Sequence, residues 1–265
     1  MIVLTVRGLP ELQAGSPAPP LLTFHGDIIM NPSTGYALVL WGVLLFHLPQ
    51  FYLMYFLQFT KSGPGGAGDA ALNAGLFLLW AGLHSLLARG FSRRAVSKIF
   101  GADFSKLFYV TVAGLTQTAM IFLWRPLDGE IWRFSGVWYA VLTLVFLFSS
   151  LFIFYSSVLL DYMEVLGVRS IIRLMKNEPP PEQKLMIRGP YAYCRHPVYL
   201  GTLVFLWIGP VMTLTRLQFA LLGTAYLFLG AWLEEKTAAA ELGEAWAQYR
   251  QNVPMWVPRL RPWKP

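Results

Sequence analysis

The chain has 265 residues, of which 55% are apolar and only 13% charged, with a formal charge of +7. A soluble domain carries about a quarter charged residues, so this composition argues for a membrane protein with room for one integrated domain. No basic run is interleaved with aromatics, so the positive balance suits anionic headgroups rather than nucleic acid.

Residues 1–30 hold Pro10, Pro17, Pro19 and Pro20 and no long apolar core, so they read as a mobile extension and not a signal peptide. Met30 precedes a conventional first span, which leaves a later start site as a second reading. Residues 31–265 form the membrane domain. Six apolar segments follow, at roughly 35–59, 71–88, 107–123, 137–160, 198–213 and 217–233. The first four are long enough, or nearly so, for about 30 Å of hydrocarbon. The last two are short and separated by Leu214-Thr215-Arg216, which predicts a tight helical hairpin turning there. The expected fold is an all-α, multi-pass bundle of five to six spans ending in that hairpin.

Between the segments, residues 63–68 read as a flexible Gly-rich connection. Residues 89–106 alternate Arg89, Arg93, Arg94, Lys98 and Lys106 with Phe91, Val96, Ile99 and Phe100, an amphipathic pattern suited to the headgroup level. If the hairpin counts as two crossings, 17 of the 21 basic residues fall in odd-numbered connections. The positive-inside rule then makes both termini cytoplasmic and puts residues 195–196 and 234–235 on one side.

Those four residues are the chemical focus. Charges near hydrocarbon are costly, about 2.5–3.5 kcal/mol each at mid-bilayer, and tend to mark function. Pro197 suits the first position of a helix, so Arg195-His196 stand at a helix N-terminus. Tyr199 lies three residues after His196 on the same face. Gly201 lets a flat ring or another helix approach. Glu234-Glu235 suit an ammonium, a sulfonium, Lys236 or a neighbouring arginine. Taken singly, Arg-His reads as an interfacial anchor and Glu-Glu as a solvated helix end; their order and spacing together favour a site. The sole cysteine, Cys194, excludes an internal disulfide, and four scattered histidines give no metal-binding spacing.

The run Gly189-Pro190-Tyr191-Ala192-Tyr193-Cys194-Arg195-His196-Pro197-Val198-Tyr199-Leu200-Gly201, with Glu234-Glu235 and Tyr249-Arg250-Gln251-Asn252-Val253-Pro254, resembles the signature of the isoprenylcysteine carboxyl methyltransferase and phospholipid methyltransferase superfamily. The resemblance covers about residues 188–258. It implies a cytoplasmic pocket for S-adenosylmethionine involving Tyr191, Arg195, His196, Pro197, Tyr199, Gly201, Glu234, Glu235 and Tyr249, and no metal.

A second resemblance, to the methanethiol S-methyltransferase branch, rests on Leu83-His84-Ser85, Ala88-Arg89, Tyr109, Leu123-Trp124-Arg125-Pro126, Ile131-Trp132 and Gly209-Pro210-Val211-Met212-Thr213. It implies a bacterial inner-membrane enzyme acting on a small or lipophilic thiol or a prenylcysteine-like acceptor. His84 is then the candidate base, against the alternative of a helix-packing histidine. Asp161-Tyr162 and Asn252 depart from the branch pattern, where Asn-His and an arginine are usual, and bear on the acceptor. Two rival readings are a membrane reductase using NADPH, since sterol reductases share a similar motif, and a non-catalytic cofactor-binding protein.

Overall fold

A computed structural model describes residues 30–178 and 185–264. The expected mobile extension therefore lies, apart from Met30, outside the described residues. Among the described residues the α-helices are α1 (Pro32–Phe59), α2 (Ala67–Ala88), α3 (Gly90–Phe100), α4 (Ser105–Leu123), α5 (Gly136–Leu159), α6 (Tyr162–Val165), α7 (Arg169–Lys176), α8 (Pro197–Trp207) and α9 (Leu214–Asn252). Of these, α1, α2, α4, α5 and α9 are long and apolar enough to cross a membrane. The chain is an integral, multi-pass helical bundle. Their outward faces are apolar, as at Leu78, Leu79, Phe122, Leu144 and Phe148. Lipid contact explains this, because tails solvate such side chains as well as a core does.

Helix α1 starts on Asn31, whose side chain accepts from Ser33 N at 3.1 Å, with Pro32 at the first position. Pro49 interrupts it and removes the N–H that would bond the Leu45 carbonyl. Gly114 of α4 meets that carbonyl: a Cβ there would lie 2.2 Å from the oxygen. One helix's freed carbonyl thus fixes where the other must lack a side chain.

The C-terminal pair forms the expected hairpin with its turn displaced. Helix α8 has 11 residues and so runs only about 16 Å, well short of a crossing. Leu214-Thr215-Arg216 are not the turn; they open α9, and the connection is residues 208–213. Thr213 caps α9 by accepting from Arg216 N at 3.1 Å. The Arg216 guanidinium, 1% exposed, donates to the carbonyls of Leu57 (2.7 Å), Phe205 and Leu206 (3.4 Å each) and Ile208. It satisfies the terminal carbonyls of α1 and α8 together, which a loop arginine would leave to water.

Two segments singled out for their resemblance join at this end of the bundle. Strand β1 (Glu130–Arg133) pairs antiparallel with β2 (Val211–Thr213), with a bulge between Glu130 and Trp132. The Trp132 indole donates to the Gly209 carbonyl at 3.2 Å. The glycine-rich connection is held too, since Gly63 N donates to Leu127 O and Gly65 N to Pro126 O, both at 3.1 Å. The expectation of a flexible linker is corrected: backbone pairing that the local sequence does not reveal ties it to the α4–β1 loop.

At the opposite end, α9 continues well past residue 233, the expected end of its segment. It breaks at Gly243 (φ 51°, ψ −125°), a conformation few other residues adopt. Residues 253–264 then fold back over α8, as Arg195 N donates to Pro254 O (2.9 Å) and Trp263 N to Ala192 O (2.9 Å).

Candidate active site

The site forms where the N-terminus of α8, residues 233–236 of α9 and the returning tail converge. His196 is the N-cap of α8 and Pro197 its first residue, as the sequence predicts. The Arg195 guanidinium binds Glu235 in bidentate fashion, Nε to Oε1 at 2.8 Å and Nη2 to Oε2 at 3.0 Å. Its remaining nitrogen donates to the carbonyls of Arg250 (3.1 Å) and Val253. His196 Nε2 lies 2.9 Å from Glu235 Oε1. Glu235 is thus the internal anchor of the cluster, and Arg195 is occupied by protein on every side.

Glu234 has a different environment. It is buried, accepts from Tyr199 Oη at 2.8 Å, and keeps its other oxygen without a hydrogen bond among the described residues. His196 and Tyr199 stack, with ring centroids 5.3 Å apart and planes 4° from parallel. Trp256 lies 5.8 Å from His196 and 4.9 Å from Phe228. A buried carboxylate with a spare oxygen, beside aromatic faces, is chemistry that suits a bound cation.

Three other expected cofactor residues stand elsewhere. A Cβ on Gly201 would lie 2.9 Å from Phe152 and Ile153 of α5, so this glycine admits a neighbouring helix. Tyr249, fully buried, donates to the Tyr191 carbonyl at 2.7 Å, and Tyr191 Oη donates to Ser156 O at 3.3 Å. Burial first, then the nearby Glu234 carboxylate, holds the Tyr191 phenol far above its usual range. These tyrosines pack the tail against the bundle. Burial likewise pushes the Cys194 thiol up to about 11.

Tyr199 also walls a partly open cavity of about 300 Å³ lined by α1, α2, α4, α8 and α9. His84 stands on this wall. Its Nδ1 is 2.7 Å from Tyr226 Oη and its Nε2 is 2.7 Å from Tyr109 Oη, while Tyr226 Oη is also 2.9 Å from Ser85 Oγ. The sequence by itself marks neither Tyr226 nor Trp256 as functional. The signal for the first lay in α9, where Phe219, Gly223, Tyr226, Gly230, Leu233 and Glu234 recur at helical spacing. Trp256 carries no local pattern.

The side chains that depart from the branch pattern make other contacts. Asp161 adopts φ 71°, caps α6 and pairs with Arg169; Tyr162 Oη bonds His47 Nε2. The Asn252 side chain donates to Gln248 O at 2.8 Å, and the Arg259 guanidinium reaches the Asn252 carbonyl at 2.6 Å.

Fold and site together define a polytopic membrane protein with an acidic, aromatic-lined site beside a partly open cavity. Over 253 residues, 91% of this chain and 96% of the relative, it is 30% identical to a methanethiol S-methyltransferase of Pseudomonas sp. (strain GM41(2012)). Over 203 residues, 76% and 78% of the two chains, it is 32% identical to that of Pseudomonas deceptionensis. It is also 29% identical to nurim of Xenopus laevis over 167 residues, 60% and 58% of the chains. No family model and no solved structure matches. The chain belongs to the methanethiol S-methyltransferase family.

Proposed function

We propose that the protein is an S-adenosylmethionine-dependent methyltransferase whose acceptor is a thiol reaching the site from the bilayer interior. The cofactor would be held by Glu234, with the His196–Tyr199 stack and Trp256 alongside; its sulfonium supplies an electrophilic methyl group. The residues fit it: Glu234 has an oxygen to spare for a positive group, and the aromatic faces favour a cation. NADPH fits poorly. Its phosphates would meet two adjacent carboxylates, while Arg195 is already committed to Glu235. The basic-residue distribution supports a cytoplasmic entrance for the cofactor and cytoplasmic termini.

One observation carries the reading: Tyr199 both bonds Glu234 with its hydroxyl and lines the cavity. A polar ligand on one side and an apolar one on the other would meet at this residue. The chain's own work is then to align the two reactants and exclude water, the main requirements of an in-line methyl transfer. Arg195 and His196 hold Glu235, and Arg195 also holds the tail through the Arg250 and Val253 carbonyls.

The test is thermal unfolding of the purified protein with S-adenosylhomocysteine or with NADPH. A ligand at about 100 times its Kd adds about 2.7 kcal/mol. Stabilisation by S-adenosylhomocysteine, lost in Glu234→Gln, is the expected result. Stabilisation by NADPH alone would replace this reading with a reductase. Binding of S-adenosylhomocysteine without methylation of any thiol would leave a cofactor-binding protein that is not an enzyme.

A further inference from the structure

We infer that the cavity beside Tyr199 accepts a neutral thiol with an apolar body of about eight to ten non-hydrogen atoms, far bulkier than methanethiol. The inference rests on the methyltransferase reading and names its acceptor class.

Size is the first argument. The cavity holds about 300 Å³. At about 30 Å³ for a water-sized unit in a liquid, that is room for at least about ten such units. Methanethiol, with a single carbon and a sulfur, would leave most of it empty.

Wall chemistry is the second argument. Leu53, Phe77, Trp80, Met120, Leu206 and Phe219 give an apolar lining. Gln50 and Gln117 also face it, but Gln50 Nε2 donates to Gln117 Oε1 and Gln117 Nε2 to Pro49 O, each at 3.3 Å. Their amides are engaged with protein. No carboxylate lines the cavity among the described residues, and Arg89, the one cation there, is exposed at the end of α2. A charged acceptor group would thus find no buried partner, an expensive outcome in such surroundings.

The polar pole is the third argument. His84, Ser85 and Tyr226 form one hydrogen-bonded group on the wall. It suits a single polar atom, the acceptor sulfur. The Tyr226 hydroxyl, held by His84 and Ser85, orients that sulfur, and the S–H proton leaves to solvent at the open mouth of the cavity beside Arg89. The sulfur's electron pair forms the new bond to the methyl carbon. The old bond from that carbon to the sulfonium breaks, and its electrons remain on the departing thioether sulfur. Glycine supplies the space: a Cβ at Gly230 has only Tyr199 Oη near it, at 3.7 Å.

The experiment uses the full chain in detergent, with benzyl mercaptan and methanethiol as acceptors and benzyl methyl sulfide as a non-reacting ligand measured by calorimetry. The expected kcat/KM is at least about tenfold higher for benzyl mercaptan, the scale on which apolar pockets discriminate. Leu53→Trp, which intrudes on the cavity from α1, lowers the benzyl mercaptan to methanethiol ratio about tenfold and weakens benzyl methyl sulfide binding similarly. Stabilisation by S-adenosylhomocysteine checks that the variant is folded. If that variant does not fold, Gly230→Leu intrudes from α9 while improving helix propensity, and the same shift is expected. Preference for methanethiol, or no binding of benzyl methyl sulfide by the wild type, overturns the inference. If S-adenosylhomocysteine does not bind and no thiol is methylated, the methyltransferase reading falls. Calorimetry with benzyl methyl sulfide still decides the cavity in that case.

Discussion

Arg195→Gln is the sharpest test of how the site is held together. The guanidinium and carboxylate of Arg195 and Glu235 are 6% and 12% exposed and meet at 2.8 Å. Removing one partner of a buried ion pair costs about 3–5 kcal/mol, because the other charge is left uncompensated. Arg195→Gln belongs at the upper end. It also strands the Arg250 and Val253 carbonyls, which end α9, and loosens the tail. Glu235→Gln alone should cost less, about 2–3 kcal/mol, since those carbonyls still hold the guanidinium. The double variant removes both charges together. Its cost should therefore fall below the sum of the singles by about 2–3 kcal/mol, the coupling expected of residues in direct contact. Equilibrium unfolding in mixed micelles of fixed composition, followed by tryptophan fluorescence, measures all four proteins. Additive costs, within about 0.5 kcal/mol, would refute the claim that the two charges depend on each other.

Arg216→Lys should destabilise by about 2–4 kcal/mol in the same assay, because one ammonium cannot serve the carbonyl ends of both α1 and α8. Gly114→Val should cost about 3 kcal/mol or more, as the new Cβ would lie 2.2 Å from the Leu45 carbonyl and force α1 and α4 apart. Reduced expression or a lowered unfolding midpoint would report it, and a wild-type midpoint would contradict that packing. Cys194 is 2% exposed and its thiol pKa is about 11, so N-ethylmaleimide at pH 8 should leave it unmodified until the protein is unfolded. The folded chain holds this proton longer than the unfolded one. This group's contribution to stability is therefore present below the ordinary thiol pKa and is lost as pH rises through about 11.

The number and position of the long helices were legible because hydrocarbon imposes a simple rule, about 20 apolar residues bounded by polar ones. Pro197 at the start of α8 followed from a local signal, and the meeting of residues 195–196 with 234–235 from folding the last two apolar segments as a hairpin. The roles inside the cluster did not follow. Glu234 and Glu235 are neighbours in the chain, yet one faces Tyr199 and the other is bound by Arg195 and His196. Helical rotation of about 100° per residue separates them, and only packing decides which direction is occupied. Tyr191, Tyr249 and Gly201 belong to the same motif but face helices or tail. A linear motif records membership of a region and not the direction of each side chain.

The place of Arg216 shows the same limit from the other direction. By composition it is a basic residue in a short connection; in the fold it is a buried cap for two helices distant in sequence. Residues 63–68 look mobile because glycine is permissive, but backbone pairing across more than fifty residues fixes them. The cavity is likewise tertiary, since its wall comes from five helices and none of them contains it. Sequence alone determined the apolar spans and the family motif, since both are written in local composition and order. Tertiary structure alone decided which carboxylate is left with an open oxygen and where His84, Tyr226 and Tyr199 share a wall. Those outcomes depend on how helices rotate and pack against one another, which no single segment specifies.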